Sequence, residues 1–375
     1  MPPKPKIRLF YYLKYSWYVG ALLIFLASFS PSFIEVYYTQ GLFKQMTKGL
    51  RLASSSIPFA LGEWVFLFII IILIYNLLQF ILQYKIQFKN SAFWKLVLGK
   101  LVFTFVKLYV VFQLIWGLNY HKTSPEKAFG LKLPTTYTPQ ELDHLSLELI
   151  SAMNALRLQL PDSAIKNIKK PTLLTASVAH YKQAEGLRPY LSYAYPNIKF
   201  STNPQLGDYL GYLAFYQPIT GEAIVREDLP VLTLPFTISH EIAHQLGYAS
   251  ETEANFIAFV IGAETKEPLF KYSMLLQLFS YTQMEHLNLL AAKGNFRNWE
   301  AIVQRNKKLL SPAVLADRQQ IKAFFNKRSH LLIPASVSLY DQFLQWNKQA
   351  KGIESYNEVV LWALAYKKKH PLLTE

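Results

Sequence analysis

Cysteine is absent from the 375 residues, which excludes a disulfide framework and any thiolate metal site. Charge is scarce as well: 17% of residues are Asp, Glu, Lys or Arg, where soluble domains carry about 25%. Acidic side chains are almost missing from the first third. Residues 1–117 hold 12 Lys or Arg against only Glu35 and Glu63, a net +10 of the total +15. Most of that excess flanks apolar runs and fits no nucleic-acid recognition motif, so a bilayer rather than a nucleic acid is the expected partner. With 51% hydrophobic residues, the chain has ample material for ordered structure.

Three apolar segments reach the roughly 20 residues a spanning helix needs. Residues 15–34 and 64–84 are uncharged, and 101–120 contain only Lys107. Lys107 is read as a lysine that snorkels along a tilted helix, the alternative being a functional group inside the bundle. The first segment lacks a small-x-small cleavage site near Ser30-Pro31-Ser32-Phe33 and is read as an anchor. Lys4, Lys6, Arg8 and Lys14 lie before the first span and Lys85, Lys89, Lys95 and Lys100 between the second and third, against Lys44, Lys48 and Arg51 in the first loop. By the positive-inside rule everything after residue 120 lies outside the cytoplasmic membrane. In the first loop, Leu42, Phe43, Met46, Leu50 and Leu52 recur at near-helical spacing, which predicts an interfacial helix.

The expected fold is mainly α. A membrane anchor with three helices covers 1–120, and a zincin-like, mostly helical domain with a small β-hairpin or sheet covers 121–375. Thr138-Pro139-Gln140-Glu141 is a capping box with proline at the first helical position. Alternating apolar residues around Tyr212–Tyr216 and the turn Pro218-Ile219-Thr220-Gly221 predict a hairpin over 211–226.

Chemistry concentrates at 239–259, SHEIAHQLGYASETEANFIAF. His240 and His244 lie one helical turn apart, so both imidazoles leave one face and can grip one zinc ion. Glu241 sits beside them as a general base. By composition, on the order of 0.01 such H-E-x-x-H strings are expected in a chain of this length. Gly247 ends the helix. Ser250-Glu251-Thr252-Glu253 reads as a second capping box, giving Glu253 a structural role. Glu251 shares a face with Asn255, Ala258 and Gly262, which makes it the expected third ligand, with Asn255 behind the ligands and Glu253 as the alternative. Tyr248, His286 and Tyr356 are candidate oxyanion donors, and Glu222 a candidate cleft residue.

HEIAH followed by ETEAN resembles the active site of gluzincin membrane peptidases, with Asn255 where those have Asp and a much shorter gap from His244 to Glu251. The three spans, TGEAIV and LPFTISHEIAHQLGYASETEANFIA together resemble domain of unknown function 3810, a family of bacterial membrane proteins. The resemblance implies a metallopeptidase-like site in a multi-pass protein of the bacterial inner membrane, without a substrate. Two functions follow as expectations. One is a membrane-anchored zinc hydrolase acting on a peptide or protein; the other is a binding or scaffold protein whose metal site is structural or vestigial.

Overall fold

The computed structural model describes residues 5–84, 91–292, 294–328, 333–347 and 358–370. Helix α1 (Pro5–Ala27) stops short of the expected end at residue 34. The chain turns through 107° and enters a second helix, α2 (Pro31–Ser55), whose Ile34–Phe43 portion is wound in the wider π form. Pro31 explains the break: it has no amide to continue the α1 ladder and is pre-set for a first helical turn. Among the described residues two helices are long and apolar enough to cross a membrane, α3 (Leu61–Tyr84) and α4 (Ser91–Ile115), and α1 counts as a third only together with its bent continuation. The α4 span is therefore 92–115 rather than 101–120. The helix ends where Trp116 adopts φ −155°, and Lys95 and Lys100 are accommodated inside it. Lys107 Nζ lies 5.0 Å from the Phe103 ring, which also receives Lys14 of α1 at 5.7 Å. Both ammonium groups thus rest on an aromatic face one turn back along α4.

Helix α2 departs from a simple interfacial helix. Val36, Tyr37, Leu42 and Leu52 are exposed, but Phe43, Thr47, Arg51 and Ser54 are buried against the rest of the protein. Arg51 donates to the carbonyls of Gln245 (3.1 Å) and Ala194 (3.0 Å), and Ser54 to that of Thr220 (2.7 Å). The polar face docks on the C-terminal part and the apolar face looks outward.

Helix α5 (Pro139–Leu158) opens on the expected box, with Glu141 N donating to Thr138 Oγ1 (3.1 Å) and Thr138 N to Glu141 Oε2 (2.9 Å). It packs along α9 (Pro268–Ala291), the most extensive helix pair of the fold. The longer intervening helices are α6 (Lys170–Leu187), α7 (Leu234–Gln245) and α8 (Glu251–Glu264). Then α10 (Phe296–Leu309), α11 (Pro312–Asn326), α12 (Ile333–Trp346) and α13 (Val359–Lys367) complete the chain. Phe256, Phe259, Tyr272, Phe279 and Tyr366 fill one core between α5, α8, α9 and α13. Burying each such side chain stabilises by roughly 1.5–3 kcal/mol. Tyr181, Ile238, Ile242, Ile257 and Phe270 form a second core beneath α7.

The expected hairpin is β2 (Ala214–Gln217) with β3 (Glu222–Val225), antiparallel with Ala214 opposite Val225. A strand absent from the sequence reading, β1 (Ile198–Phe200), pairs parallel to β3, giving the order β1-β3-β2. At three residues, β1 is too short for alternation to reveal.

Candidate metal centre

Helix α7 carries the two histidines and ends at Gln245, with Leu246 as its C-cap. Tyr248 N bonds to Ala243 O (3.1 Å) and Gly247 N to His244 O (2.9 Å), closing the end of the helix. Gly247 has φ +87°, and a Cβ there would meet Asn119 Oδ1 at 3.0 Å and Phe43 at 3.1 Å. Only glycine fits without strain. The reversal returns the chain along α7 as α8, and the α7–α8 pair is tightly packed. Glu251, the first residue of α8, is thereby delivered to the imidazoles. His240 Nε2 is 3.2 Å from Glu251 Oε2 and His244 Nε2 is 3.7 Å from Glu251 Oε1. The three side chains are buried, and their ligand atoms all lie within 4.8 Å of one another.

This group could hold a metal ion. Zinc bonds of about 2.0–2.1 Å at tetrahedral angles separate donors by roughly 3.3 Å, close to the two His–Glu distances. The far ring nitrogens are fixed too: His240 Nδ1 donates to Asn255 Oδ1 (2.8 Å) and His244 Nδ1 to Tyr248 O (2.7 Å). Both Nε2 lone pairs then face the space beside Glu251. Tyr281 donates to Asn255 Oδ1 from the other side (3.3 Å).

The electrostatics follow from burial and from this clustering. Burial is the largest single influence on His240 and opposes its charge, but the hydrogen bond to and the charge of Glu251, together with Glu241 and the bond to Asn255, outweigh it and raise the pKa above the usual value. Burial and the neighbouring His240 bring His244 down to about 4. Glu251 is pushed up by burial, yet the two imidazoles hold it at about 2. Glu241 is pushed up to about 8 by burial, with His240 opposing. Its Oε2 is buried without a hydrogen-bond partner. Such a carboxyl exchanges its proton near neutral pH.

Several side chains fall elsewhere than expected. Ser250 sits at the N-cap of α8 but makes no side-chain cap bond. Glu253 does not reach back to it and instead lies 3.8 Å from Lys122, itself 3.9 Å over the Tyr248 ring. Burial pushes Glu253 up to about 7 despite Lys122. Tyr248 contributes its carbonyl. His286 is buried between α5 and α9, where Nε2 meets Ser146 Oγ at 3.2 Å, and its contacts are not with the histidine pair. Tyr356 lies outside the described residues.

Glu222 is neither solvated nor in a cleft: it is completely buried. It receives Leu61 N (3.2 Å), Gly62 N (2.5 Å), Thr220 Oγ1 (2.8 Å) and Lys199 Nζ (2.5 Å). It caps the N-terminus of the membrane helix α3, where a carboxylate meets free amides and the positive end of the helix dipole. From that same helix, Glu63 accepts Thr202 N at 2.9 Å and the hydroxyls of Ser201 and Thr202. The two carboxylates clamp α3 to the sheet.

Four site residues have no signal in local spacing. Tyr340 of α12 donates to Glu251 Oε1. The Trp116 ring lies edge-on to His244 with centroids 5.9 Å apart, and Phe236 lies 6.2 Å from His240. Phe343 of α12 packs on Phe112 of α4 (5.9 Å) and on Tyr120 (6.4 Å). These aromatics place the histidine pair at the end of a membrane helix, beneath α12.

A mainly helical chain with membrane-type helices and a buried His–His–Glu group defines the class: a membrane protein with a candidate metal centre. The chain belongs to the family described as Protein of unknown function (DUF3810), which matches residues 38–364. No curated protein and no solved structure matches it.

Proposed function

We propose that the chain is a membrane-anchored zinc hydrolase of peptide bonds, with three spans and its C-terminal part outside the cytoplasmic membrane. The carrying observation is a carboxyl beside a ligand set: Glu241, with a buried oxygen that no hydrogen bond occupies, lies on the same helix as His240 and His244. A structural metal site has no use for such a neighbour. His240, His244 and Glu251 would hold zinc, which supplies Lewis acidity and brings a water's pKa towards neutrality. Glu241 takes the proton of the attacking water and passes it to the leaving amine. Asn255 and the Tyr248 carbonyl keep both imidazoles in the tautomer that leaves Nε2 unprotonated. Tyr340 Oη is a hydroxyl donor at the site and is assigned to the developing oxyanion. Strand β2, at the edge of the sheet, offers main-chain groups to an extended peptide.

The test is a peptide-library digest by the full chain beside Glu241→Gln at matched metal content. Cleavage by the wild type alone is expected. Equal cleavage by both removes Glu241 as the base, and cleavage by neither at full metal loading favours the scaffold reading.

A further inference from the structure

Helix α2 and the C-terminal part enclose a cavity of about 210 Å³ that the hydrolase reading leaves unused. Its wall is made by Lys44, Lys48 and Arg51 of α2, by Tyr190, Ser192 and Ala194, and by Gln245 and Leu246 at the end of α7. The three cations fall at intervals of four and three residues, so they share one helix face. No acidic residue lines the cavity. Arg51 is only 3% exposed, and among the described residues no carboxylate pairs with it. Two of its nitrogens donate to carbonyls, while Nε is buried with no partner. Lys48 rests over the Tyr195 ring at 5.1 Å, likewise without an acid. A buried guanidinium flanked by two lysines and no counter-charge is costly unless an anion completes it.

The position of the cavity says which anion. Helix α2 leaves α1 at 107°, so with α1 set along the membrane normal α2 runs close to the membrane plane. Val36, Tyr37, Leu42 and Leu52 are 58%, 66%, 55% and 54% exposed on α2, an apolar surface suited to acyl chains. Lys44 and Lys48 then lie at headgroup depth, with the cavity opening beside them. We infer that the cavity between α2 and the C-terminal part binds the phosphate headgroup of an anionic phospholipid. Arg51 and the two lysines supply charge-assisted hydrogen bonds to its oxygens. Gln245, whose carbonyl Arg51 holds, directly follows His244, so the bound lipid also braces the end of the histidine helix.

The test uses the full chain in nanodiscs of phosphatidylcholine, with and without phosphatidylglycerol. Native mass spectrometry counts retained lipid, and tryptophan fluorescence follows the unfolding midpoint. Wild type is expected to retain one phosphatidylglycerol and to unfold at a higher temperature when it is present. Lys44→Gln/Lys48→Gln should lose retention by about tenfold or more, the size of losing charged hydrogen bonds. Ala194→Trp, which fills the cavity without changing charge, should do the same. Lys307→Gln/Lys308→Gln, on exposed positions of α10, should behave as wild type. Equal retention by all four chains would overturn the inference in favour of general surface attraction. Stabilisation by inorganic phosphate in detergent, with no effect of phosphatidylglycerol, would overturn the lipid assignment.

Discussion

Glu222→Ala removes the carboxylate that ties α3 to the sheet, and its cost can be worked from its partners. The side chain is 0% exposed and Lys199 is 11% exposed, so the pair is a buried ion pair. Breaking such a pair from one side costs about 3–5 kcal/mol, because the remaining charge stays buried. The amides of Leu61 and Gly62 lose their acceptor together with the Thr220 hydroxyl. Lys199 keeps one partner, the Ser54 carbonyl at 2.8 Å, which holds the estimate within that range. For a folded unit of this size the loss corresponds to a fall in Tm of roughly 6–20 °C. Glu222→Gln, which keeps an acceptor and loses the charge, should fall between wild type and Glu222→Ala. Thermal unfolding of the full chain in detergent, followed by circular dichroism, reads all three. Zinc content of the folded Glu222→Ala chain should match wild type. A Tm unchanged within about 2 °C, combined with lost peptide cleavage, would refute the clamp and return Glu222 to a substrate cleft.

Zinc affinity should fall severely in Glu251→Ala and little in Glu253→Ala, measured by competition with a chelating dye; the reverse order would make Glu253 the ligand. The affinity should also depend on pH in a set direction. His240 is raised above 6.5 in the metal-free protein and must lose its proton to bind, so affinity weakens as pH falls from above 6.5. One proton released per zinc gives about tenfold per pH unit; a flat profile would mean that His240 is neutral without metal. Single cysteines at Ser91 and Ser163 test orientation, since the native chain has none. A membrane-impermeant maleimide applied to spheroplasts should label Ser163→Cys and not Ser91→Cys, and the opposite pattern would put the histidine site in the cytoplasm.

What the sequence made legible was local. The α5 box at Thr138 and Glu141 is visible because its donors and acceptors lie three residues apart. The juxtaposition of His240, His244 and Glu251 needs only a helix, a glycine reversal and a helical phase. Phase places Glu251 and Asn255 on one face, and those are the residues that meet the histidines. The same logic misplaced Glu253, because S-x-x-E predicts a reciprocal cap while Lys122, 131 positions earlier, offers a stronger partner for a buried carboxylate. Glu222 was opaque for the same reason: its amide donors are 160 and 161 residues away. Tyr340 reaches Glu251 across 89 residues, with no spacing rule to signal it. Hydropathy found the apolar runs but not their ends, since Pro31 breaks the first helix inside its run, and α4 begins among lysines that a window count excludes.

Metal analysis of the purified full chain tests the central claim most directly, read by inductively coupled plasma mass spectrometry beside His244→Ala and Glu241→Gln. About one zinc per chain is expected in the wild type and in Glu241→Gln, as one set of three protein ligands requires, and none in His244→Ala. A chain that takes up no zinc at neutral pH, or a Glu241→Gln variant as empty as His244→Ala, would contradict the assignment of His240, His244 and Glu251 as the ligands and Glu241 as the base.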